Sequence, residues 1–148
     1  MSETFNKPSI STELAHRVVA AAEAKAKEMA HPFVIAVCDE SGVLKAFSRM
    51  DGAALLSVQI AQDKAYTAVG FGLSTDGWHE FIKNDPPLAA GAVGGIDRLV
   101  VFGGGYPIKA GDVIIGAIGV SGSSVEDDNE VAQAGAASLL AEPAPAVG

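Results

Sequence analysis

The stretch Leu99–Gly122, LVVFGGGYPIKAGDVIIGAIGVSG, alternates apolar β-branched runs with glycine-rich turns. Such runs predict strands, and the segment Lys109-Ala110-Gly111-Asp112 between two of them predicts a turn. We therefore expect strands at about residues 99–102, 106–109 and 113–120. Consecutive strands joined by short turns pair antiparallel, so this stretch favours an antiparallel sheet over a parallel one.

Three consecutive glycines after a strand also suggest a phosphate-binding loop. Such a loop needs a helix directly after its glycines, because the helix N-terminus binds the anion. Tyr106, Pro107 and Ile108 follow instead, and no Lys-Ser or Lys-Thr pair comes after the glycines. We interpret the glycines as a bend or a close backbone approach at a sheet edge, and not as a nucleotide site.

The rest of the chain has one predicted hairpin and several predicted helices. The hairpin strands are Phe33–Asp39 and Val43–Arg49, and the segment 84–96, rich in Pro, Ala and Gly, predicts a long loop of the kind that often forms a lid. Helices are predicted at Thr12–Ala30 with Ser11 as its cap, at Ala53–Phe71, at Gly77–Lys83, and from about residue 125 to 140. The order predicts one antiparallel sheet with helices on its faces.

Length and charge exclude several classes of protein. A chain of 148 residues suits one domain, and a net charge of -8 disfavours a nucleic-acid or anionic membrane partner. We predict an extension at 1–9, one domain at 10–141 and a disordered tail at 142–148. The single cysteine, Cys38, excludes an internal disulfide.

Hydropathy and targeting patterns indicate where such a chain works. We find no secretory signal and no apolar run long enough for a bilayer, so we expect a cytoplasmic protein. Hydrophobic residues make up 49% of the chain, which is high for a small soluble monomer. We therefore predict a homo-oligomer that buries part of this surface between subunits.

Four stretches occur in an order that resembles one known family: AVCDESGVLKAFSRMDGA, AQDKAYTA, GGGYPI and GAIGVSG, the last followed by an acidic helix start. Over about residues 10–140 the chain resembles the GlcG/HbpS-type haem-binding family, whose fold also forms the C-terminal domain of PduO-type cobalamin adenosyltransferases. The resemblance implies the α/β (α+β) class, as a profilin-like three-layer α/β/α sandwich with a five-stranded antiparallel sheet. It also implies ring or stacked oligomers and haem or tetrapyrrole binding, with haem degradation proposed for some members.

Two residues depart from that family's pattern. Gly103 replaces the usual proline before the glycine pair, and Tyr106 replaces a small aliphatic residue before Pro-Ile. The tyrosine adds a phenolic donor at the glycine corner, the bend at Gly103–Gly105, where it would tune or block a pocket.

Arg49 and Asp51 stand where a predicted strand gives way to a helix. An arginine fork with an aspartate near a helix N-terminus can hold a substrate carboxylate or a haem propionate. The structural alternative is an Arg49–Asp51 salt bridge, with Asp51 as the helix cap.

Lys64 lies in an alanine-rich predicted helix, and burial on the face of Ile60 and Phe71 would lower its pKa. A lysine so placed suits anion binding or proton transfer, whereas the alternative is a lysine that extends its amine to water. His79, beside Trp78 and near Phe81, is the best imidazole for a haem axial ligand, the alternative being simple packing. Tyr66, Tyr106 and Met50 are further candidate iron ligands, and no histidine pair has the spacing of a metal site.

Two functional hypotheses follow, with a third held open. The first is an oligomeric tetrapyrrole-binding protein with haem as cofactor, its propionates near Arg49 or Lys64. The second is a cofactor-free lyase, isomerase or hydrolase that acts on a small carboxylated or carbonyl metabolite. In it Arg49 clamps the anion and the N–H groups of Gly104 and Gly105 bind an oxyanion, while protons are handled by Lys64, Tyr106 or Asp128. The third is a non-catalytic assembly or sensor subunit, favoured if these polar groups pair with one another.

Overall fold

The computed structural model describes residues 2–92 and 94–138. The predicted tail at 142–148 therefore lies outside the described residues. In chain order the elements are α1 (Thr12–Glu28), β1 (Val34–Asp39), β2 (Leu44–Arg49), α2 (Leu55–Phe71), α3 (Thr75–Ile82), α4 (Pro86–Ala92), β3 (Gly105–Ala110), β4 (Val113–Ser121) and α5 (Val125–Ala137).

The strands form one antiparallel sheet in the order β2-β1-β4-β3. Helices α1 and α5 cover one face, where Val18, Ile35, Ile118 and Val131 are fully buried in the main core. Helix α2 covers the other face, mainly over β4, β1 and β3. The expected three layers and antiparallel pairing are thus confirmed, and none of the described helices has the length and apolarity needed to cross a bilayer.

Within the described residues the sheet has four strands, so the prediction of five is wrong. Residues 99–102 form no strand, because the backbone N–H of Val100 donates to the hydroxyl of Thr67 on α2 at 3.0 Å. Strand β3 then begins at Gly105 and occupies the sheet edge, where Pro107 is tolerated because its missing N–H costs no ladder bond on the open side.

The segment 84–96 is also not a plain loop, since it contains α4. Pro86 occupies the first helical position, where its missing N–H costs nothing. The carboxylate of Asp85 accepts a hydrogen bond from Leu88 N at 3.2 Å, as a capping residue does. A composition rich in Pro, Ala and Gly concealed this start signal.

Helix α2 buries its small residues and exposes its large ones. Ala61, Ala65 and Ala68 lie against the sheet, whereas Leu56 is 78% exposed and Phe71 is 57% exposed. The cause lies on β4, because a Cβ at Gly119 would overlap the backbone carbonyl of α2. The two backbones approach so closely that only alanine-sized side chains fit between them. Lys64 and Phe71 therefore do not share a buried face, since Lys64 is buried and Phe71 is exposed.

Cys38 lies on the α2 side of β1 and is buried, as expected of a small apolar residue. Burial raises the pKa of its thiol to about 12. The thiol is therefore protonated and unreactive in the folded chain.

Candidate functional site

Lys64 crosses the end of the sheet and joins α2 to α5. The side chain is fully buried, and its Nζ donates to the carbonyl of Val120 at 2.8 Å and to Asp128 Oδ2 at 2.9 Å. Asp128, in the first turn of α5, is also buried, and its Oδ1 accepts from Ser123 N at 3.0 Å. Of the two alternatives left open for Lys64, burial is the one that the structure shows, and its partner is a residue of the chain itself.

Burial shifts both members of this pair toward their neutral forms. Loss of hydration lowers the pKa of Lys64 and raises the pKa of Asp128, while the attraction between the two charges opposes both shifts. Each group also uses its hydrogen-bonding capacity on the other or on backbone. The pair therefore links the two helical layers, and both side chains are shielded from solvent.

The glycine corner fits closely around Lys64. Gly104 has a φ of +120°, and a Cβ there would lie 2.6 Å from Lys64 Nζ. The N–H of Gly105 donates to the hydroxyl of Thr75 at 2.9 Å. That N–H therefore already has a partner within the chain, and the expected close backbone approach is confirmed.

Gly103 faces a polar contact between α3 and α5. Asn129 Nδ2 donates to Asp76 Oδ2 at 2.5 Å, and a Cβ at Gly103 would lie 2.6 Å from the Oδ1 atoms of both residues. Any larger residue would therefore collide with this contact. The proline that the resembled family has at this position would overlap the same contact.

Arg49 and Asp51 do not pair with each other. The guanidinium of Arg49 donates through Nε at 3.2 Å and Nη2 at 2.9 Å to the carbonyl of Ala53. Asp51 is exposed, and α2 begins only after Ala54, which gives no side-chain cap. The predicted salt bridge and Asp51 cap are wrong, because the arginine instead fastens the turn that leads into the helix.

Tyr106 lies on the opposite edge strand from Arg49. Its hydroxyl accepts from Gln133 Nε2 at 3.1 Å, and partial burial raises the pKa of its phenol. Three strand spacings separate the strands of Arg49 and Tyr106, which is roughly 14 Å across the sheet. Arg49 and Tyr106 therefore do not share one site, whereas Lys64 bonds to Asp128 and packs against Gly104.

An aromatic cleft opens on the outer side of α2, next to α3. The ring centroids of Phe71 and Trp78 are 4.9 Å apart, and Phe81 lies within 5.9 Å of both. The cleft has a volume of about 230 Å³ and is lined by Tyr66, Thr67, Gly70, Phe71, Trp78, Ile96, Asp97, Arg98 and Leu99.

Arg98 lines this cleft and also a smaller pocket beside Cys38, from a left-handed backbone with a φ of +64°. Its guanidinium lies 4.0 Å from the ring centroid of Tyr66, and its Nε donates to Asp63 Oδ1 at 2.8 Å. The hydroxyl of Thr67 donates to Arg98 O at 2.9 Å, in addition to accepting from Val100 N. Thr67 on α2 thereby holds both the carbonyl of Arg98 and the N–H of Val100, two residues further along.

Trp78 and His79 occupy different surroundings on α3. Trp78 lines the cleft at 7% exposure, and its Nε1–H has no hydrogen-bond partner in the described part of the chain. His79 is exposed and is not among the lining residues. The sequence singled out the Trp78-His79-Phe81 group, but it gave no signal for Arg98 because the cleft joins segments distant in the chain.

The fold and the cleft define a three-layer α+β protein with an open aromatic site on one helical face. The chain belongs to the HbpS-like family, described as haem degrading protein HbpS-like, whose model matches residues 10–137. The resemblance to the GlcG/HbpS-type family is therefore confirmed.

Individual relatives agree with this assignment. Protein GlcG of Escherichia coli K12 is 36% identical over 112 residues, which span 76% of this chain and 81% of GlcG. The crystal structure of Klebsiella pneumoniae protein ORFY matches with a TM-score of 0.87 and 32% identity, covering 97% of this chain and 99% of that one. The PduOC:haem complex matches with a TM-score of 0.77 and 30% identity, covering 87% of this chain and 94% of that one.

Proposed function

We propose that the protein binds haem or a related tetrapyrrole in the aromatic cleft. The observation that carries the proposal is the combination of apolar rings with one guanidinium at the cleft, because haem is a flat apolar ring with two carboxylates. The membership of the HbpS-like family and the haem-bound relative support the same ligand.

The cleft is suited to one edge of the macrocycle. Sites that enclose a drug-sized ligand measure about 300–1,000 Å³, and this cleft measures about 230 Å³. Phe71 and Trp78 would contact the ring, and Arg98, which also lines the cleft, would supply a positive charge to a propionate. Bound haem would supply the redox and ligand-binding chemistry of its iron.

His79 is our proposed iron ligand and Tyr66 the alternative. Both are accessible, since His79 is exposed and Tyr66 is 39% exposed. Neutral imidazole and phenolate are both known axial ligands of protein-bound haem. Within this proposal His79 supplies the ligand from the rim of the cleft, whereas Tyr66 supplies it from the lining.

Self-association belongs to the same proposal. Leu55 and Leu56 are 75% and 78% exposed, and Phe47 on the edge strand β2 is 39% exposed. Exposed apolar residues in such number suit contact with a second copy of the chain. We place the working protein in the cytoplasm as a homo-oligomer.

Filling the cleft at Gly70 is expected to lower haemin affinity at least about tenfold, because a side chain there replaces apolar ligand contacts. Gly70 lines the cleft, and a Cβ at this position has open space around it. Gly70→Phe should therefore fold and occupy the space meant for the ring. The measurement is a haemin titration of the purified protein followed by Soret absorbance.

Gly91→Phe is the matched control. Gly91 is also a helical glycine with open space at its Cβ, and it does not line the cleft. We expect it to titrate like the unsubstituted protein. If Gly70→Phe bound haemin as tightly as the unsubstituted protein, the cleft would not be the haem site. If the unsubstituted protein titrated like an unrelated protein, haem binding itself would be refuted.

A further inference from the structure

The position of Arg98 in the cleft is fixed by its backbone. A non-glycine residue with a positive φ is uncommon, and such residues persist only where their surroundings hold them. Thr67 does so here, because its single hydroxyl bonds both Arg98 O and Val100 N. Thr67 is itself buried, so this attachment is protected from water.

The guanidinium of Arg98 is oriented but only partly used. Tyr66 supports its flat face, and Nε is the guanidinium nitrogen that donates to Asp63. Neither Nη group donates a hydrogen bond within residues 2–92 and 94–138. The side chain is 34% exposed, so a ligand carboxylate can reach these two groups.

Nearby carboxylates restrict which anion suits this position. Asp63 already balances much of the positive charge of Arg98, and Asp97 also lines the cleft. A polyanion would be repelled by these two acidic groups, whereas a single carboxylate can use the free edge of the guanidinium. The Nε1–H of Trp78 offers a second, buried donor that has no partner in the same described residues.

From this geometry we infer that Arg98 is a carboxylate anchor, and that the cleft selects tetrapyrroles carrying a free propionate. The inference rests on the proposed function and names the ligand class of the same site. The chain recognises the ring by its aromatic residues and the acid by Arg98. An esterified macrocycle keeps the first contact and loses the second.

The test compares haemin with haemin dimethyl ester, both added from the same dimethyl sulfoxide stock and followed by Soret absorbance. The protein is expected to bind haemin at least about tenfold more tightly than the ester, as for loss of a hydrogen bond to a charged group. Arg98→Gln should reduce haemin affinity to that of the ester and leave ester affinity unchanged. Arg17→Gln, the same charge change on the exposed surface of α1, should alter neither.

Arg98→Gly guards against a folding defect, because glycine adopts the left-handed backbone of this position without strain. It should lose the preference for free acid as Arg98→Gln does. Equal binding of haemin and ester by the unsubstituted protein would overturn the carboxylate anchor while leaving haem binding intact. Binding of neither compound would instead overturn the proposed function.

Discussion

Replacing Lys64 with methionine is expected to destabilise the folded chain by about 3–5 kcal/mol, the usual cost of removing one partner of a buried ion pair. Asp128 would remain buried without the ammonium that lies 2.9 Å from its Oδ2. The carbonyl of Val120 would also lose its donor. Urea unfolding followed by far-UV circular dichroism measures the change in the free energy of unfolding.

The double variant Lys64→Met/Asp128→Asn separates the stranded charge from lost packing. Asparagine removes the charge and keeps an oxygen that can accept from Ser123 N, as Asp128 does now. We expect it to recover at least about 2 kcal/mol of the loss, since much of the cost is the unpaired buried charge. Recovery of nothing, or a loss of stability in Lys64→Met below about 1 kcal/mol, would contradict the structural role of the pair.

Gly104→Ala is expected to cost about 2–4 kcal/mol, because strain in the backbone and overpacking of the core add together. The φ of Gly104 is +120°, and its added Cβ would lie 2.6 Å from Lys64 Nζ and against the carbonyl of Val120. Neither neighbour can move without breaking the Lys64–Val120 hydrogen bond. Thermal and urea unfolding of the variant provide the measurement.

Gly111→Ala supplies the comparison at a second left-handed glycine. Gly111 has a φ of +64° and nothing within 4 Å of an added Cβ, so only the backbone cost applies. A loss of about 1 kcal/mol is expected there. If Gly104→Ala and Gly111→Ala had the same free energy of unfolding, the close approach of the glycine corner to Lys64 would not contribute to the cost of the substitution.

Local signals predicted the elements whose ends are marked in the sequence. Ser11 caps α1 through a hydrogen bond from Leu14 N at 3.0 Å, and the β1–β2 hairpin forms as its alternation indicates. For Lys64 the sequence left burial and extension to water both open, and the structure shows burial. The sequence did not identify Asp128 as its partner, because Asp128 lies 64 residues further along the chain, on α5.

The orientation of α2 and the position of Arg98 depend on contacts between segments that are distant in the sequence. Because Gly119 on β4 has no side chain, the backbone of α2 packs directly against it. The alanines of α2 therefore face the sheet, and Phe71 is exposed. That inversion creates the aromatic cleft with Trp78 on α3. Arg98 reaches the same cleft from a segment about thirty residues further along, and no local pattern marks that contact.

The only tryptophan of the chain offers the most direct test of the central claim, that the cleft binds the macrocycle. Its indole N–H gives one signal in a proton–nitrogen NMR spectrum, and this residue lines the cleft. Gallium protoporphyrin, a diamagnetic analogue of ferric haem, would be added stepwise. Binding in the cleft predicts a saturable ring-current shift of the Trp78 signal, whereas shifts of other signals with this one unchanged would place the macrocycle elsewhere.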